Sequence, residues 1–135
     1  MVNAARLDGD SIVEAMKRGD FYASSGVTLD SINYDGASYR VGIDVKPGVT
    51  YETRFIGTRR ASDGMLGPEG ETLLTTSSNP AVYPVDGTEL YVRAVVVSSE
   101  PHPRPYAEGE HQRAWVQPIV PARAIADADK AHALR

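Results

Sequence analysis

Two periodicities divide the chain. Up to Gly19 the apolar positions follow a helical spacing, with Ile12, Val13 and Met16 on one side and Lys17 and Arg18 closing the segment. Ser11 followed three residues later by Glu14 has the form of a capping box, and Asp10 is a second N-cap candidate. Gly19 suits the left-handed position past the last turn. The spacing therefore predicts a helix over Ser11–Arg18. A helix this short does not persist alone in water, so it must dock on something.

Beyond Gly19 the period drops to that of a strand. Val27, Leu29, Ile32 and Tyr34 suggest one strand, and Tyr39, Val41, Ile43 and Val45 alternate with polar neighbours in a second. Asp35-Gly36 between them is a tight-turn pair, which makes a hairpin. Tyr51, Thr53, Phe55 and Ile56 begin a further strand after Lys46-Pro47-Gly48. Thr58 to Gly70, rich in glycine and charge, reads as a long exposed loop. Thr72-Leu73-Leu74 and Ala81-Val82-Tyr83 are short strands, the second confined to an edge by Pro84. Leu90 to Val97 is the most β-branched stretch and belongs at the centre of a sheet. Ser98 to Glu110 holds Pro101, Pro103 and Pro105 and should be irregular. Ala114-Trp115-Val116 and Ile119-Val120 give a last strand broken by Pro118. The alanines and charges after Pro121 suggest a frayed helix or loose tail.

Short strands separated by turns, with one leading helix, imply an all-β fold. The expected architecture is an antiparallel β-sandwich, immunoglobulin-like, preceded by one short N-terminal α-helix. A parallel α/β fold would need crossover helices that the pattern lacks. Residues 1–20 form a lead carrying the capped helix, 21–121 the sandwich, and 122–135 a tail. Trp115, beside Val116, is expected to anchor the core near Tyr91 or Val95.

Composition narrows the chemistry. The 135 residues suit one core, and a net charge of −4 offers no electrostatic pull toward nucleic acid or an anionic membrane. No apolar run approaches the roughly 20 residues that span a bilayer. The absence of cysteine removes disulfides, thiolate zinc sites and cysteine nucleophiles together. His102, His111 and His132 lack the spacing of a metal site and read as solvated loop residues. Asp8, Asp10, Glu14 and Asp20 are accounted for by the helix dipole and solubility. Gly64-Met65-Leu66-Gly67 is not followed by a helix start, which a phosphate cradle needs. No catalytic residue, metal ligand or cofactor is therefore assigned to this chain. Phe21-Tyr22-Ala23-Ser24-Ser25-Gly26 places two hydroxyls after the helix, most simply as core aromatics followed by serines that satisfy a turning backbone.

Three segments nevertheless carry a resemblance. Gly19-Asp20-Phe21-Tyr22-Ala23-Ser24-Ser25-Gly26-Val27, then Leu90-Tyr91-Val92-Arg93-Ala94, then Ala114-Trp115-Val116-Gln117-Pro118-Ile119 look, in that order, like the C-terminal part of PHP-domain metal-dependent hydrolases, the polymerase and histidinol phosphatase superfamily. The match runs from about Ser11 to Pro121. The resemblance implies a non-catalytic C-terminal accessory domain that packs against a catalytic barrel, its own or separately encoded. Divalent metals would belong to that barrel, whose Asp-x-His ligand motif has no counterpart here. It also implies that Tyr22, Ser24 and Ser25 lie near the parent active site. Ile12 and Met16 would be partner-docking residues that, without a barrel, could pair two copies through the helix. The other reading is a free-standing β-sandwich module that binds carbohydrate or protein.

Overall fold

One helix and eight strands follow each other in the computed structural model, which describes residues 1–122. They are α1 (Gly9–Arg18), β1 (Tyr22–Ser24), β2 (Leu29–Tyr34), β3 (Ser38–Ile43), β4 (Tyr51–Arg59), β5 (Glu71–Thr76), β6 (Ala81–Pro84), β7 (Glu89–Pro101) and β8 (His111–Val116). Every paired neighbour is antiparallel. One sheet has the order β1-β8-β7-β4-β5 and the other β2-β3-β6. The chain changes sheets after β1, β3, β5 and β6, the Greek-key distribution of an immunoglobulin-like sandwich.

Period-two alternation explains the core. Phe55 of β4, Val92, Ala94 and Val96 of β7, and Ala114 and Val116 of β8 point inward from the larger sheet. Tyr39 and Val41 of β3 and Ala81 and Tyr83 of β6 meet them from the smaller one. Aromatic rings tie the layers: Tyr39 and Tyr83 flank Phe55 at centroid distances of 5.8 and 5.5 Å, within the range in which ring edges and faces attract. β7 takes the central position expected of it, and β6, ended by Pro84, sits on an edge.

Several boundaries differ from the sequence expectation. The N-cap of α1 is Asp8, whose Oδ1 accepts the Ser11 N–H at 2.8 Å; neither Ser11 nor Asp10 caps the helix. Asp8 lies three residues before a free helical donor, and Glu14 instead faces Lys17 one turn on. β4 continues to Arg59, and the following loop is pinned by a bridge between Arg60 and Leu66. β7 runs to Pro101, opposite His111, so the irregular stretch shrinks to 102–110. Val45 falls outside β3, which ends at Ile43 where the Asn79 amide takes both its backbone groups at 2.9 Å.

Trp115 is the largest correction. It is 40% exposed, while Ala114 and Val116 on either side are buried. Only one of two neighbouring strand residues can face the core, and pairing with β1 and β7 turns Trp115 outward beside Ala23 and Val95. The tail from 123 onward lies outside the described residues.

Candidate functional site

The lead is stitched onto the sandwich by its backbone. Asn3 N donates to Asp20 O at 2.7 Å and Tyr22 N to Met1 O at 2.9 Å, so residues 1–3 form a short antiparallel rung beside the start of β1. α1 is the excursion between the two sides of that rung. It closes at Gly19, whose φ of 78° is a conformation glycine adopts without a Cβ penalty. Ala15 is buried and Ile12 half-buried, but Val13 and Met16 are 49% and 50% exposed. One side of the helix has a covered seam, and the adjoining side presents an uncovered apolar stripe.

The three segments of the resemblance meet in space. β1 pairs with β8 through Tyr22–Val116, Ala23–Trp115 and Ser24–Ala114. β8 pairs with β7 through Val95–Trp115 and Val96–Ala114, and Ile119 bridges back to Val92. Antiparallel pairing thus lays residues far apart in the chain side by side at one edge of the larger sheet.

The three candidate site residues are occupied by structural bonds. The Tyr22 hydroxyl, buried, accepts the Leu29 N–H at 3.0 Å where the chain passes to the second sheet. Ser24 Oγ donates to Val27 O at 2.5 Å and accepts the Gly26 N–H at 3.0 Å. Ser25 Oγ accepts the Arg113 N–H at 2.8 Å, and its own N–H donates to Arg113 O. These hydroxyls lock the turn after β1, as Ser and Thr side chains do when a strand ends.

A groove of about 470 Å³ runs beside this edge, between β2 and the segment after β8. Its walls include Phe21, Ile32, Tyr34, Tyr39 and Ile119, with Asp20 and Asp30 among its polar groups. The Tyr39 hydroxyl donates to Gln117 O at 2.9 Å, and burial pushes its phenol well above the ordinary tyrosine range.

Sequence reasoning missed Glu89. This carboxylate is 1% exposed at the start of β7. It accepts the Tyr83 hydroxyl at 2.7 Å and the backbone N–H groups of Asp86 and Gly87 at 3.2 and 3.0 Å. Tyr83 in turn accepts from the Arg59 guanidinium at 2.9 Å. Burial drives Tyr83 up to about 12, and the hydrogen bond to Tyr83 raises Arg59. The available signal was the Asp86-Gly87 turn three residues before an acid, a spacing that lets a carboxylate collect turn donors.

Among the described residues, no group of three or more His, Asp or Glu side chains could share a metal ion. No described helix is long and apolar enough to cross a membrane. His102 and His111 sit in or beside the β7–β8 loop, and His132 lies outside the described residues. Against known proteins, the chain matches no family model, no curated protein and no solved structure.

Proposed function

We propose that this chain is a non-catalytic accessory domain that packs, through the helix-bearing end of its sandwich, against a catalytic barrel of the PHP hydrolase kind. The observation that carries the reading is where the exposed large apolar side chains lie. Met1, Val2, Leu7, Val13 and Met16 belong to the lead, Met65 and Leu66 to the β4–β5 loop, and Val120 follows the last strand. These eight are at the end where β1 begins and β4 finishes; of the other four among the described residues, Val45 and Tyr106 are at the opposite end, and Ile32 of β2 and Trp115 of β8 lie along the strands between. From β1 to β5 that end spans four strand spacings, about 19 Å, a width suited to a protein interface rather than a small ligand. Scattered apolar residues need no explanation, but segregation to one end does. The meeting of the three resembling segments at the same edge supports the identity of the partner.

The test is co-expression with a PHP-type barrel encoded directly upstream of residue 1, joined or separate. The expected result is a complex that Val13→Glu with Met16→Glu dissociates while the melting temperature of the chain alone stays within a few degrees. The absence of such a barrel upstream, or a complex indifferent to the double substitution, overturns the reading.

The exposed Trp115 favours a second reading, a free-standing binding module. Its ring stands on the outer face of the larger sheet next to Ala23, the kind of platform that supports sugar or protein contacts. Saturable changes in its fluorescence on titration with soluble oligosaccharides would select this alternative.

A further inference from the structure

The β7–β8 loop leaves the sandwich at the end opposite α1. Proline at 101, 103 and 105 removes every second donor from its first arm, leaving the N–H groups of His102, Arg104 and Tyr106. All three are engaged inside the loop. His102 N donates to Glu110 O at 2.8 Å, Arg104 N to His102 Nδ1 at 3.0 Å, and Tyr106 N to Glu110 Oε2 at 2.9 Å. The Tyr106 side chain at the end of that arm is fully exposed. The arm is thus a rigid finger, and two of its three acceptors are titratable side chains.

We propose that this loop is an acid-sensitive finger with His102 as its latch, so that protonation of the imidazole releases the arm at Arg104 and leaves Tyr106 held by the Glu110 pin alone. An imidazole accepts at Nδ1 only when neutral; the protonated ring carries N–H at both nitrogens. Protonation therefore sets a donor against the Arg104 donor. The Arg104 N–H thereby loses its acceptor within the loop. The charged and titratable groups around the latch are few. Glu110 holds Tyr106, Glu100 pairs with Lys46 at 3.3 Å across the loop base, and His111 stands opposite Pro101. Arg104 and Glu108 are exposed on the loop itself.

Amide NMR on the intact chain between about pH 8 and 5 tests the latch. The expected result is that the Arg104 amide resonance shifts on the same curve as the His102 ring protons. His102→Asn retains a side-chain oxygen two residues before the Arg104 amide, as in an Asx turn, and should abolish the shift while keeping the loop closed. His102→Leu should give the released spectrum at every pH. A flat Arg104 resonance while the His102 ring titrates overturns the proposal. So does a His102→Asn variant that keeps the wild-type response, which would place the sensor at His111 or a carboxylate.

Discussion

Trp115 and Glu89 show opposite failures of residue-level reasoning. A place beside Val116 argued for a buried tryptophan, yet register placed it outside; Glu89 drew no reading from the sequence, yet two turn N–H groups and the Tyr83 hydroxyl gather around its buried carboxylate. Each yields a test. Trp115→Ala should cost about 1–2 kcal/mol, less than the 3–5 typical of a core aromatic, because only part of its surface leaves water on folding. Denaturation midpoints of the pair measure this, and iodide should quench the native emission. Glu89→Ala should cost about 2 kcal/mol, since it strands the buried Tyr83 hydroxyl and takes the acceptor from two part-buried turn N–H groups. A loss below about 1 kcal/mol in the same urea titration would mean that these donors find other partners.

At the scale of elements, caps and close approaches decide the boundaries. α1 begins two residues earlier than the apolar pattern suggests because Asp8, ahead of the periodic stretch, supplies the capping oxygen. Asp8→Ala should remove about 1 kcal/mol, and Ser11→Ala distinctly less; thermal melts of the two variants order them. In β4, Gly57 has ordinary strand geometry, but a Cβ there would run into the Tyr91 carbonyl oxygen of β7. Gly57→Ala should destabilise by about 1–3 kcal/mol, the usual cost of overpacking, although nothing in the local sequence marks that glycine as special. The hairpin of β2 and β3 was legible because Asp35-Gly36 sits between alternating runs, and Asp35 Oδ1 does accept the Ala37 and Ser38 N–H groups. Those bonds, Ser38 foremost, hold its carboxyl below the ordinary range. Their contribution is accordingly present above about pH 4 and fades as the pH drops below it.

For the molecule as a whole, buried phenols set the alkaline limit. Tyr39 and Tyr83 are both raised, chiefly by burial, Tyr83 to about 12. A group with a raised native value favours the protonated fold. Its contribution is therefore complete below the unfolded value of about 10 and lost as the pH climbs through the native one. The melting temperature should be level up to about pH 10 and fall steeply toward 12; Tyr39→Phe should make that fall shallower in scanning calorimetry. The same scale governs association. Val13→Glu with Met16→Glu should leave the sandwich folded, because these two side chains are exposed and the core lies between the sheets. Any self-association through the lead should disappear in sedimentation velocity. A collapse of thermal stability with unchanged mass would instead make α1 part of the core.

The sequence by itself determined the local facts: one short helix ending at Gly19, the strand periods, the hairpin, the edge position of Ala81–Pro84 and the two-sheet β class. Backbone periodicity and turn chemistry act over a few residues, so a linear reading reaches them. Tertiary structure decided which side of each strand faced inward, the buried carboxylate at Glu89, the distant Arg113 backbone as the partner of Ser25, and the convergence of three distant segments at one edge. Those outcomes depend on register between strands as much as ninety residues apart, from β1 to β8. A shift of one residue in such pairing exchanges core for solvent, and no local pattern around Trp115 records which way it falls.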